Sequence, residues 1–242
     1  MIILALDALD KNMVERFKCK NLMQLEYGTT NLGGFALERT VVLWASFLTG
    51  KNTESKIPVK GQWEFKLPKS ETFFNFFDVV ETVDVPAFSL KLNDHKKEHK
   101  LLAGYFKDEK KILDFDKLVW KNHRNNKKDF FAVLSKIMST SEGRLSKIVV
   151  GYFDLADAIG HLSFGIKEKM KIVYDELEDL ASQVKKLTNK IDETILIISD
   201  HGMKSVGRYG DHTKNGFYSC NKKLNLNKPK ITDFYEIIKM MK

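Results

Sequence analysis

The stretch Thr194-Ile-Leu-Ile-Ile-Ser-Asp-His-Gly-Met203 decides how this chain is read. Its apolar run, Thr194 to Ile198, reads as a buried strand. The run breaks on Asp200 and His201, two adjacent metal-ligand side chains, and Gly202 frees the backbone to turn away. The same pattern recurs along the chain. Met1-Ile-Ile-Leu-Ala-Leu ends on Asp7, and Lys147 to Phe153 ends on Asp154, three residues before Asp157-Ala-Ile-Gly-His161. Helical segments lie between these runs. Asp10 can cap a helix over Lys11–Lys18, and Thr40 opens a segment closed by Thr49-Gly50. Ile166–Leu187 carries Met170, Val173, Leu177, Leu180 and Val184 on one face. Shorter signals predict a strand over Val79–Val85 and helices over Asp129–Met138 and Asp233–Met241. Strands alternating with helices predict an α/β layered fold with a mostly parallel sheet. Its site lies at the carboxyl edge, where Asp7, Asp154 or Asp157, and Asp200 gather.

At 242 residues the chain fits one large domain over 1–242, and 43% hydrophobic with 30% charged residues is a globular composition. No apolar stretch approaches the roughly 20 residues of a membrane span. The N-terminus lacks the basic start of a signal peptide, and Cys19 and Cys220 make no disulfide framework. These features predict a cytoplasmic location. The net charge of +8 is concentrated: residues 91–128 hold 12 Lys/Arg against 6 Asp/Glu. This basic segment reads as a solvated insertion, as a cap that draws in an anionic substrate, or as a nucleic-acid surface.

Each candidate site residue has a plainer explanation. Asp200-His201-Gly202 on its own could be a turn, and Asp157 with His161, four apart, a surface pair. Together they fit metal ligation, because one helical turn aims Asp157 and His161 at one ion. His212 is expected in a glycine-flanked loop, with Asp211 as a competing ligand. Thr40 fits an N-cap, yet the same place offers a hydroxyl where helix N–H groups favour negative charge. His95, His99 and His123 lie among lysines and are expected to be solvated. Trp44, Trp63 and Trp120 are expected to be packing residues.

These residues, in this order, resemble the alkaline phosphatase superfamily, and within it the type I phosphodiesterase/nucleotide pyrophosphatase family. Thr40-Val-Val-Leu-Trp-Ala-Ser-Phe-Leu-Thr-Gly-Lys-Asn52 is similar to its nucleophile segment, Asp157-Ala-Ile-Gly-His161 to its Asp-x-x-Gly-His motif, and Ser199-Asp-His-Gly-Met203 to its Asp-His-Gly-Met motif. The resemblance implies a three-layer α/β/α sandwich and two divalent metals, Zn²⁺ or alternatively Mn²⁺. One metal is implied to be held by Asp157, His161 and His212, the other by Asp7, Asp200, His201 and the Thr40 oxygen. Thr40 is implied to be the nucleophile. Three positions depart from the family: Val41 and Val42 stand where prolines are common, Leu43 where secreted members place an asparagine, and Ser55-Lys56-Ile57 where His-Gly is common. These departures touch substrate contacts and leave the metal set whole. The modifiable Cys-x-Pro-x-Arg context of sulfatases is absent, and the chain has no room for the inserted domain of cofactor-independent phosphoglycerate mutases.

The expected function is therefore a phosphodiesterase or nucleotide pyrophosphatase acting on a small-molecule phosphoester or nucleotide. Two alternatives stand beside it: a phosphomonoesterase or phosphonate hydrolase on the same site, and a catalytically weak, metal-containing nucleic-acid-binding protein. Leu43 and Trp44 are expected to form an apolar wall near the metals that favours the second organic group of a diester.

Overall fold

The computed structural model describes residues 1–105, 111–139, 145–188 and 192–242. In chain order the elements are β1 (Ile2–Leu6), α1 (Lys11–Arg16), β2 (Glu26–Thr29), α2 (Thr40–Thr49), β3 (Val79–Val83), α3 (Leu92–Tyr105), α4 (Ile112–Ser139), β4 (Lys147–Phe153), α5 (Leu155–Ser163), α6 (Lys167–Thr188), β5 (Ile195–Ile198), β6 (Gly202–Val206), β7 (Tyr209–Thr213), β8 (Phe217–Cys220) and α7 (Phe234–Met241). Short 3-10 turns cover Gln62–Glu64, Lys69–Glu71, Phe73–Phe76 and Ile231–Asp233.

One sheet has the order β2-β8-β5-β1-β4-β3, and β6 pairs with β7 as a separate hairpin. β5, β1, β4 and β3 run parallel, while β8 is antiparallel to both β5 and β2. β1 lies at the centre, with Ile3 opposite Val150 on one side and Leu196 on the other. Its side chains alternate between two cores. Ile2, Leu4 and Leu6 join Phe130 and Phe153 with the buried face of α6, while Ile3 and Ala5 join α2 and α7 residues such as Trp44 and Ile238. A strand buried on both faces is apolar throughout, and β1 is. The fold is a three-layer α/β/α sandwich with a mostly parallel sheet.

Local chemistry accounts for the element ends. The Asp10 carboxylate accepts from Met13 N at 3.1 Å and caps α1. Gly50, at φ 68°, ends α2 in the left-handed conformation that glycine adopts without cost. The described parts of the basic segment fold as α3 and α4. α4 buries Phe115, Val119, His123, Asn126, Phe130 and Leu134, so the helix predicted over Asp129–Met138 begins much earlier, at Ile112. No described helix is long and apolar enough to cross a membrane.

Candidate metal centre

The predicted ligands converge at the carboxyl edge of the sheet. β1 delivers Asp7, and Ala8 then takes φ 53°, a left-handed conformation uncommon for alanine that turns the chain off the strand. β5 delivers Asp200 and His201, both fully buried. α5 starts directly after β4 and carries Asp157 and His161 one turn apart. His212 lies on β7, not in the loop the flanking glycines suggested. Gly207, at φ 62°, makes the turn of the β6–β7 hairpin instead. Asp211 points the other way along that strand and pairs with Lys204 at 3.2 Å.

Two ligand groups result, Asp157–His161–His212 and Asp7–Asp200–His201, each with its donor atoms within 4.8 Å of one another. In the first, His212 Nε2 lies 3.1 Å from Asp157 Oδ1 and 3.2 Å from His161 Nε2. In the second, His201 Nε2 lies 3.3 Å from Asp7 Oδ1 and 3.6 Å from Asp200 Oδ2. The His201 and His212 rings stack at 3.8 Å between centroids, so the groups adjoin.

The donor set fits a pair of divalent ions. His201 Nδ1 lies 3.1 Å from the Gly202 carbonyl and His212 Nδ1 3.2 Å from the Glu38 carbonyl. Carbonyls only accept, so both Nδ1 atoms donate and both Nε2 atoms face the carboxylates, the orientation a metal-ligating histidine takes. Asp7 Oδ1, Asp200 Oδ2 and His201 Nε2 are buried without any hydrogen-bond partner. Burial and the neighbouring Asp157 charge raise the Asp7 carboxyl, while burial and Asp7 raise Asp200 well above the usual carboxylate range. Burial also opposes ionisation of Asp157, but the His161 and His212 imidazoles hold it well below that range. Burial opposes the charged form of His212 as well, but the Asp157 hydrogen bond and charge lift it to about 9. Three carboxylates crowded together need positive charge, which divalent ions would supply.

Thr40 is the first residue of α2. Arg39 is the N-cap, and no side chain caps this helix start, so the N-cap explanation of Thr40 falls. A cleft of about 200 Å³ is lined by Thr40 together with Asp7, Asp157, His161 and His212. Trp63, Leu102 and Phe115 form its apolar part. A larger cavity of about 420 Å³ opens at the opposite end of the strands, beside Met1, Lys147 and Thr194, away from every predicted ligand.

Three sequence expectations need correction. Leu43 and Trp44 form no wall here: both are fully buried in the core, where Trp44 packs edge-on against Tyr152. Trp63 is not simply a packing residue, since it lines the cleft and its ring lies against His95, tilted by 46° with 3.6 Å between centroids. His95 and His99 also line that cleft, and His123 is buried with Nε2 3.1 Å from Glu176 Oε1. Lysines crowd these histidines in sequence, but α3 and α4 turn His95 and His123 inward, while His99 stays exposed at the cleft, as expected.

Sequence reasoning also missed Tyr152, whose hydroxyl donates to Asp7 Oδ2, and Glu98. Glu98 is buried and accepts from Asn122 Nδ2 at 2.6 Å. Burial pushes the Glu98 carboxyl up to about 7, with Asp84 and Asp94 adding repulsion. The signal was present as His95-x-x-Glu98, an i, i+3 pair on one helix face.

Comparison with solved structures gives the fold the same name. The alkaline phosphatase of the Antarctic bacterium TAB5 matches with a TM-score of 0.55 and 11% identity over 98% of this chain and 96% of its own. A mutant of that enzyme with Mg bound in its M3 site matches at 0.58 and 10%, over 98% and 95%. The PsFucS1 sulfatase from Pseudoalteromonas sp. matches at 0.55 and 10%, over 97% of this chain and 66% of that one. Murine ectonucleotide pyrophosphatase/phosphodiesterase 5 aligns at 0.43 and 10%, over 86% and 58%, too loose an overlay to bear on function. No protein-family model and no curated protein sequence matches the chain. This is the fold of the alkaline phosphatase superfamily.

Proposed function

We propose that this protein is a metal-dependent phosphoric ester hydrolase, and specifically a phosphodiesterase or nucleotide pyrophosphatase with Thr40 as its nucleophile. One observation carries the reading: two adjoining ligand groups, one of them with buried donor atoms that lack hydrogen-bond partners, meet at a cleft that Asp7, Asp157, His161 and His212 line together with the helix-opening Thr40. Asp157, His161 and His212 would hold one divalent ion, and Asp7, Asp200, His201 and the Thr40 oxygen the other. Imidazole in both groups favours Zn²⁺, with Mn²⁺ as the alternative. Such ions, when bound, supply Lewis-acid charge to phosphoryl and hydroxyl oxygens.

The chain's own residues do the rest. The Thr40 oxygen attacks phosphorus in line and loses its proton to solvent, while the bond to the leaving alcohol breaks. The leaving oxygen takes a proton from water, and a second water cleaves phosphothreonine to restore Thr40. The free N–H groups of the first turn of α2 favour the negative charge that gathers there. Tyr152 and the Glu38 carbonyl orient Asp7 and His212.

Diester preference follows from the cleft rather than from Leu43 and Trp44. Among the described residues Arg39 is the one Lys or Arg lining it, and Arg39 Nη2 is already engaged by the carbonyls of Ile57 at 2.8 Å and Glu54 at 3.4 Å. A monoester dianion finds few free cations to meet its extra charge, whereas Trp63, Leu102 and Phe115 suit a second organic group. We take the chain as a single domain over 1–242, in which α3 caps the cleft and α4 builds the helical layer. Several lysines of the basic segment are already paired, Lys91 with Asp129, Lys96 with Glu64, and Lys127 with Glu176 and Asp179, which weakens the nucleic-acid reading. The test is metal-dependent turnover of matched aryl diesters and monoesters at fixed salt. Higher kcat/KM for diesters is expected. A monoester preference across several leaving groups would transfer the site to the phosphatase alternative.

A further inference from the structure

The reaction proposed above draws the leaving-group proton from water, yet a carboxyl group with no assigned role lines the same cleft. Glu98 stands on α3, and His95 before it and Leu102 after it share its helix face. All three line the cleft together with Thr40. Trp63 lies against His95, so Glu98 sits within the apolar wall on which an organic group of the substrate would rest. The cleft, at about 200 Å³, is smaller than the roughly 300–1,000 Å³ of pockets for drug-sized ligands. Residues lining so small a space face the same occupant.

The surroundings of Glu98 suit a group that carries a proton. Glu98 is buried, and Asn122 Nδ2 donates to its Oε1 at 2.6 Å. Its carboxyl also meets that of Asp154, whose side chain makes no capping bond to α5. Two buried carboxyls in contact retain a proton between them. The other titratable groups around Glu98 are Asp84, Asp94, His95 and Tyr152, and α4 faces it with the amides of Asn122, Asn125 and Asn126. Burial holds His95 down to about 3, so it stays neutral. Lys91 directs Nζ to Asn126 and Asp129, each at 2.7 Å. Burial lifts Glu98 to about 7, ahead of the repulsion from Asp84 and Asp94, which lets its proton leave and return near neutral pH.

We propose that Glu98 is the general acid of the reaction, giving its proton to the departing alcohol oxygen in place of water. The inference rests on the phosphodiesterase reading. The Thr40 oxygen forms its bond to phosphorus, the bond to the alcohol breaks, and the departing oxygen keeps the electron pair and takes the Glu98 proton. In the second step the attacking water gives a proton to the Glu98 carboxylate, while the Thr40 oxygen regains its own from solvent. Water attacks from the side the alcohol left, so one carboxyl serves both steps.

Leaving groups of different basicity test this. Nitrophenolate departs as a stable anion and needs no proton, whereas an alkoxide does. The metal-loaded protein is assayed on methyl nitrophenyl phosphate and methyl benzyl phosphate across pH. Ionisations that both substrates share cancel in the ratio of their kcat/KM values. In wild type the benzyl-to-nitrophenyl ratio should be level below pH about 7 and fall about tenfold per unit above it. Glu98→Gln should lower kcat/KM for the benzyl ester by about 100-fold or more, lower it less for the nitrophenyl ester, and remove the pH dependence of the ratio. Circular dichroism checks folding, and the wild-type ratio decides alone if Glu98→Gln fails to fold. A wild-type ratio independent of pH, or equal losses on both esters in the folded variant, overturns the role of Glu98 and leaves the diesterase reading standing. A wild type that hydrolyses neither ester overturns both.

Discussion

The hairpin that carries His212 is held against α5 by two glycines, and filling one of them should open the first ligand group. A Cβ at Gly210 would lie 2.7 Å from the Gly160 carbonyl oxygen and 2.2 Å from Met203 Sδ. The methionine tip can move, but the carbonyl belongs to α5 and cannot. The approach is about 0.7 Å short of the 3.4 Å at which ordinary contact begins, so in Gly210→Ala the hairpin must retreat by roughly that much. His212 Nε2 now stands 3.1 Å from Asp157 Oδ1 and 3.2 Å from His161 Nε2. A shift of about 0.7 Å takes both beyond hydrogen-bond range. The cost should be roughly 1–3 kcal/mol for overpacking, plus about 1.5–3 kcal/mol for a hydrogen bond to a charged group. Urea denaturation of the metal-free protein reads the sum. NMR titration reads the geometry separately: with Asp157 withdrawn from His212, its pKa should fall from about 9. Zn²⁺ titration should show one weakened site out of the pair. Wild-type stability together with an unchanged His212 titration would refute the close packing of hairpin and helix from which this is derived.

Thr40→Ala should abolish turnover, while stability falls by less than the roughly 1 kcal/mol of a lost N-cap, because Arg39 holds that position; wild-type rates in the variant would leave Thr40 without a covalent role. Chelation should lower the Tm, since ions that bind only the folded state add about 2.7 kcal/mol per site at a concentration one hundred times Kd; an unchanged Tm would speak against ligation by buried groups. Glu176 is held at about 2 by its His123 hydrogen bond and by Lys127, against an ordinary 4.5. Because the folded-state value is depressed, its stabilisation is complete above pH 4.5 and is lost as pH falls through about 2. The stability gap between wild type and Glu176→Gln should therefore close along that window in urea melts, and a gap independent of pH would contradict it. Trp63→Ala should raise KM for aryl diesters more than for methyl diesters at similar kcat, as steady-state kinetics would show.

The strand-end acids were legible in the sequence because a buried apolar run that stops on a carboxylate is a local pattern. Asp7 and Asp200 could be read for this reason, whereas Asp157 and His161 were read from their spacing one helical turn apart. α4 was read only in its last third. Its buried stripe includes His123 and Asn126, polar residues that interrupt the apolar spacing and are satisfied only by tertiary partners: Glu176 for one, Asp84 and Lys91 for the other. The error over Leu43 and Trp44 has a different origin. Nearness to Thr40 in sequence suggested nearness to the cleft, yet every residue of α2 is buried, so positions three and four along turn into the core. His95 and Glu98 were obscured because the lysines around them set the apparent character of the segment, while helix geometry separates one face from the other.

The place of β1 in the sheet has a consequence for synthesis on the ribosome. The first strand to emerge is the central one, and its two neighbours, β4 and β5, begin at Lys147 and Ile195. At about 5–20 residues per second, an apolar segment that finally lies in the middle of the sheet waits on the order of ten seconds or more for both flanks. Until then Ile2 to Leu6 has two open edges and no covered face. Pairing of β1 with neighbours so far along the chain therefore slows closure of the sheet.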